Sequence, residues 1–202
     1  MPKMRISLPL LLFLLLSSSP ILQAQNEELR QKLSAFVADH EADYEKKYLN
    51  IDDRSIGSID DSEYAWKDEF MLKSKEKLEN NIGNTGYQKF YFSFFAYETL
   101  LDRQYALKDW MGNFIEGEAI RPGRPIRKYQ YGTPSIVLIN DNEIMVCNYR
   151  CSDWSEENFK YWKKTLLTYF GQPNTMVIEL LCDGPLEWTK NAPDPKERRR
   201  LF

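Results

Sequence analysis

The chain has 202 residues, a formal charge of −3 and a pI near 5.4. That length suffices for one domain with a real core. A mildly acidic balance excludes general nucleic-acid binding, which rests on neutralising phosphates.

Residues 1–24 read as a secretory signal peptide. Lys3 and Arg5 form a basic start, Ile6 to Leu16 an apolar core, and Ser17 to Pro20 end it before a small residue at Ala24. The core is shorter than the roughly 20 apolar residues of a membrane span. Cleavage is expected before Gln25, giving a secreted or periplasmic chain with no transmembrane segment. Without Lys3 and Arg5 the charge moves to about −5.

The remainder, 25–189, reads as a single α+β domain with a helical part (25–86) and a sheet-containing part (87–189); 190–202 reads as a charged mobile tail. A helix is predicted over 26–49, capped by Asn26, with Leu29, Leu33, Phe36, Val37, Tyr44 and Tyr48 at helical spacing. Residues 50–62 read as a loop. A second helix is predicted over 63–79 on a stripe of Trp66, Phe70, Met71 and Leu78, ended by Gly83 and Gly86.

The second half changes character. Lys89 to Tyr97 is a dense aromatic strand. Thr99 and Asp102 carry a capping signature for a helix with Leu100, Leu107, Trp110, Met111 and Phe114 on one face. Residues 116–133 form a long connection. Ser135–Asn140 and Glu143–Arg150 make a hairpin about Asp141-Asn142. Asp153 or Ser155 caps a helix bearing Phe159, Trp162, Leu166, Tyr169 and Phe170, stopped by Gly171 and Pro173. Thr175–Cys182 is a last strand.

The order over 88–182 is therefore β-α-β-β-α-β, that of a ferredoxin-like unit. It predicts a four-stranded antiparallel sheet with both helices on one face and the N-terminal helical pair on the other face or an edge. In element order, across about half the chain, it resembles the sporulation-related (SPOR) envelope domains, which bind peptidoglycan. A competing reading rests on Gly132-Thr133-Pro134 before the hairpin and helix, which resembles the final third of thioredoxin. It implies a degenerate thioredoxin-like fold, since no Cys follows the aromatic strand.

Three cysteines, Cys147, Cys151 and Cys182, leave at least one thiol unpaired within the chain. In the ferredoxin-like order the strand with Cys147 and Cys151 lies two strands from the one ending at Cys182, roughly 9–10 Å away. A disulfide needs Cα atoms within about 7 Å. None is expected inside the sheet, and a bridge requires Cys151 or Cys182 to lie beyond a strand end.

Four other features carry candidate chemistry. Arg121, Arg124, Arg127 and Lys128 form a basic loop stiffened by Pro122 and Pro125, a surface for an anionic small molecule, glycan or acidic protein. Residues 52–63 place Asp52, Gly57, Asp60 and Glu63 at EF-hand positions, a weak calcium candidate, since Arg54 and Ile56 stand where oxygen ligands are needed. His40, the lone histidine, reads as a surface residue among acids. The aromatic residues, five tryptophans among them, read as core or as a binding platform. No catalytic constellation stands out and no cofactor is expected. The sequence points to an exported, non-catalytic binding or interaction module. The alternative is a thiol-dependent or thioredoxin-like enzyme using one of the three cysteines.

Overall fold

The computed structural model describes residues 20–49, 63–80, 82–112, 134–153, 155–182 and 186–190. They form a mixed α+β architecture. Helix α1 (Pro20–His40) is followed by strands β1 (Tyr44–Tyr48), β2 (Trp66–Glu79) and β3 (Thr85–Ala96). Next come helix α2 (Leu100–Gly112), the hairpin β4 (Ser135–Ile139) and β5 (Glu143–Tyr149), helix α3 (Glu156–Phe170), β6 (Met176–Leu180) and β7 (Leu186–Lys190). The strands make one seven-stranded sheet in the order β1-β2-β3-β5-β4-β6-β7, every neighbouring pair antiparallel.

The N-terminal helical pair is corrected. α1 keeps the first part of the expected stripe, with Leu29, Leu33 and Phe36 buried, but it ends at His40. It also begins at Pro20 and so runs through the expected cleavage position. Tyr44–Tyr48 pairs with β2, where Lys46 meets Asp68 at 3.5 Å and lies 4.3 Å over the Phe70 ring. Residues 66–79 are a strand, not a helix. Trp66, Phe70, Met71 and Leu78 fit a helical stripe, but Phe70 and Leu72 face one layer while Met71 and Lys73 face the other, as a pleat requires. Helix-favouring Lys, Glu and Leu hide that period of two. Pairing with the aromatic β3 overrides local preference.

The β2–β3 turn is built by Asn80. Its Oδ1 accepts from the backbone N–H groups of Ile82 (3.2 Å) and Asn84 (2.9 Å), and Gly83 supplies the positive φ of 77°.

From β3 onward the predicted succession of elements is present. Thr99 and Asp102 form the expected reciprocal cap, each backbone N–H donating at 3.1 Å to the other's side chain. Ser155 caps α3 by accepting from the Asn158 N–H at 3.0 Å, and Gly171 ends it, since a Cβ there would meet the Leu167 carbonyl.

The sheet order and layering differ from expectation. β6 pairs with β4 instead of returning beside β3, whose outer edge is occupied by β2. Seven strands replace four. The helices also divide. α2 places Ala106, Leu107 and Trp110 on one face, against Phe95, Val137, Ile144, Val146 and Ile178. α1 and α3 cover the other, where Phe36, Phe159, Trp162 and Phe170 meet Phe90, Phe92, Phe94, Leu138 and Met145. β4 is buried on both faces, so its five residues read as an unbroken apolar run apart from Ser135. Among the described strands no two neighbours are parallel, which removes the crossover-paired strands that a thioredoxin-like sheet needs.

Candidate functional site

The thiol candidates divide cleanly. Cys151 and Cys182 form a disulfide with Cα atoms 5.7 Å apart. Cys151 opens a 3-10 turn after β5, and Cys182 follows β6, so both lie beyond strand ends. β4 separates β5 from β6, and the bridge closes past the start of β4 at Pro134, whose carbonyl accepts from the Tyr149 N–H at 3.2 Å. Cys147 lies inside β5, fully buried on the α1/α3 face, and burial pushes its thiol well above the usual range. A thiol needs exposure and a lowered pKa to act as a nucleophile, and Cys147 has neither.

The calcium candidate loses its frame. β1 and β2 flank residues 52–63 where an EF-hand needs helices; Glu63 is exposed just before β2, and Asp52 and Asp60 lie outside the described residues. No group of three or more metal-binding side chains occurs among the described residues. Arg121, Arg124, Arg127 and Lys128 also lie outside them.

His40 is buried, not a surface residue. Its ring stacks on Trp162 with centroids 5.2 Å apart, and Nδ1–H donates to the Phe36 carbonyl at 2.6 Å. The carbonyl can only accept, which fixes the proton on Nδ1. Nearby, burial raises the Tyr44 phenol to about 12, helped by Tyr161 and Asp43. The acids around His40 in sequence point elsewhere; Asp39, for example, accepts from the Tyr169 hydroxyl. This corner is aromatic packing.

The polar concavity lies at the opposite end of the sheet from the disulfide. A pocket of about 140 Å³ is bounded by α1 (Asn26, Glu28, Lys32), the end of β3 (Ala96, Tyr97), the β4–β5 turn (Asp141, Asn142, Glu143) and Gln172 after α3. Its geometry follows from the hairpin. Asn140 N–H donates to the Glu143 carbonyl at 2.9 Å, closing the turn and placing Glu143 at the pocket wall. Asn140 Nδ2 donates to Glu143 Oε2 at 2.8 Å and to the Phe170 carbonyl at 3.0 Å, while Thr175 Oγ1 donates to Asn140 Oδ1 at 2.6 Å. Gln172 Nε2 reaches Glu143 Oε2 at 3.5 Å. The buried Asn140 thus ties the turn to α3 and β6 and fixes the carboxylate.

Among the described residues, Glu28 is the pocket carboxylate that has an ion pair. Glu28 meets Lys32 at 2.7 Å, and Lys32 holds it below its usual value. Asp141 faces the buried Arg103 of α2, whose Nε donates to the Asp141 carbonyl at 3.1 Å. Arg103 Nη1 is buried with no hydrogen-bond partner among the described residues. Among the described residues Glu143 has amide partners and no ion pair of its own. Burial raises its pKa above the ordinary 4.5; the Asn140 hydrogen bond and Lys32 oppose the rise, and Glu28 and Asp141 reinforce it.

That shift has a definite sign. Between 4.5 and the raised value, the native chain holds a proton at Glu143 that the unfolded chain has lost. Glu143 therefore lowers stability progressively as pH rises through that window, and the penalty persists at neutral pH. Glu143→Gln keeps an acceptor for Asn140 and removes the titration. Its melting temperature is expected to exceed the native one at pH 7 and to converge on it near pH 4; thermal scans across pH 4–8 check this.

Sequence reading missed this site. Two signals were available: an arginine on the buried α2 stripe 103/106/107/110, and a carboxylate opening an otherwise apolar strand. Turn chemistry explained Asp141-Asn142 and hid the role of Glu143.

Among the described residues three helices lie against an antiparallel sheet, a mixed α+β arrangement with a polar pocket at one sheet end. The chain matches no protein-family model, no curated protein and no solved structure.

Proposed function

We propose that this is an exported, non-catalytic binding module of the cell envelope or extracellular space, taking a small ligand with one ammonium group in the sheet-end pocket. The observation that carries the ligand class is Glu143, a half-buried carboxylate held by amides and, among the described residues, without an ion pair. A ligand ammonium would offset the cost of burying its charge and form a charge-assisted hydrogen bond. The pocket volume suits a small molecule. Export is supported by the signal pattern of residues 1–24 and by the Cys151–Cys182 bridge, since disulfides persist in oxidising compartments. No helix among the described residues is long and apolar enough to cross a membrane.

The thiol-dependent alternative loses its support, because two sulfurs are bridged and the third is buried with a raised pKa. The binding reading is tested by NMR titration of the chain from Gln25 with ethanolamine and glucosamine, using glucose as the uncharged comparator. Shifts should cluster on the backbone amides of Ala96, Tyr97, Asn142 and Glu143. No saturable shift on those amides would reject this pocket.

A further inference from the structure

β1 ends the sheet, with its inner edge on β2 and no strand on its outer edge among the described residues. The Lys75 N–H donates to the Asp43 carbonyl at 2.8 Å, and Asp43 stands opposite Lys75 in the same register as Tyr44 opposite Ser74. The Asp43 carbonyl and the backbone groups of Glu45 and Lys47 therefore face β2. Those of Tyr44, Lys46 and Tyr48 turn outward by alternation.

The strand reads Tyr-Glu-Lys-Lys-Tyr. Laid antiparallel on a second copy about Lys46, it becomes self-complementary. Tyr44 stands opposite Tyr48, Glu45 opposite Lys47, and each pair occurs twice by symmetry. Opposite charges and aromatic pairs directly across antiparallel strands are stabilising. Glu45 and Lys47 now pair with each other at 3.2 Å, with side chains 57% and 42% exposed, so both can turn to a partner. Lysine on an edge strand ordinarily guards against pairing. The central Lys46 is drawn off the edge instead, toward Asp68 and over Phe70.

Tyr48 supplies the second argument. It is 78% exposed, the highest value among the large apolar side chains described. Its side chain shares a face with Tyr44 and Lys46. On that face a groove of about 570 Å³ runs between α1 and the β1–β2 edge, lined by Val37, Tyr44, Lys46 and Leu72. A partner's Tyr48, placed opposite Tyr44, falls against this groove.

We infer that β1 is a homodimerisation edge. Two copies join their sheets through β1 about a twofold axis at Lys46, with about six main-chain hydrogen bonds, two Glu45–Lys47 pairs and each Tyr48 in the other copy's groove. Five residues bury less than the roughly 800 Å² per partner of a standard interface, so the dimer dissociates on dilution.

Sedimentation velocity on the chain from Gln25, at about 1–500 µM, is the test. The native chain should shift from monomer to dimer across that range. Glu45→Lys sets lysine opposite lysine twice and should weaken dimerisation about ten-fold. The exchange Glu45→Lys with Lys47→Glu should restore it. Tyr48→Pro removes an outward N–H and the ring while leaving the Lys47–Met71 pairing, and should abolish the dimer with an unchanged circular dichroism spectrum. A native chain that stays monomeric at 500 µM overturns the inference. So does a dimer indifferent to Glu45→Lys and Tyr48→Pro.

Discussion

Trp162→Ala should cost about 3–5 kcal/mol of folding stability, the range for truncating a large buried aromatic. Trp162 is 1% exposed and joins four elements. From α3 it meets Phe36 and His40 on α1, with centroids 6.2 and 5.2 Å away. It meets Tyr44 on β1 at 5.5 Å, and Phe90 and Phe92 on β3 at 4.7 and 5.3 Å. Removing it opens a cavity where α1 and α3 meet the sheet. The surrounding rings come from separate elements and cannot close the space together. Single domains are stable by only about 5–15 kcal/mol, so the loss is a large share of the total. Urea denaturation measures it. A loss under about 1 kcal/mol would mean that α1 and α3 do not share a packed layer. Leu101→Ala, on the exposed side of α2, serves as the control and should fall within about 0.5 kcal/mol of native.

The paired change Cys151→Ala with Cys182→Ala should cost roughly 3–4 kcal/mol. The bridge spans 31 residues, and the chain-entropy relation gives about that value for such a loop. The closed loop contains α3 and β6, which supply much of the α1/α3 core. Chemical reduction of the native chain should lower its stability by the same amount, while Cys147 remains buried and inert. Matched urea curves for the oxidised, reduced and doubly substituted chains read this out. Coincident oxidised and reduced curves would contradict it.

The second half of the fold was legible because its signals are local. Thr99 and Asp102 cap each other, Asp141-Asn142 turns the hairpin, Ser155 starts α3 and Gly171 stops it. Each device acts over a few residues, within reach of spacing arguments. β1 and β2 were not legible. Their lysines and glutamates favour helix, and only pairing with the aromatic β3 makes them strands. Strand order was hidden for a related reason. Whether β6 returns beside β3 or beside β4 depends on which edge β2 has taken, a long-range event that leaves no mark near residue 176.

The cysteines show how far geometry carries. The expected two-strand separation came from the ferredoxin-like order, with β3 between; in the sheet found, β4 lies between β5 and β6 instead and keeps the same separation, so a bridge again closes only beyond strand ends. Cys151 and Cys182 meet there, and the unpaired Cys147 stays inside. The pocket was less accessible to sequence reading. Asn140, Glu143, Gln172 and Thr175 come from a turn, a strand and the α3–β6 connection, and only tertiary structure brings them together.

Glu143 is proposed to bind a ligand cation. NMR titration of ethanolamine into the native chain and into Glu143→Gln, at pH 7, tests it most directly. Saturable shifts are expected at Ala96, Tyr97, Asn142 and Glu143 in the native chain, with affinity about ten-fold or more weaker in the variant, as loss of a charged hydrogen bond implies. Equal affinity in the two proteins, or no shift at those amides, would contradict it.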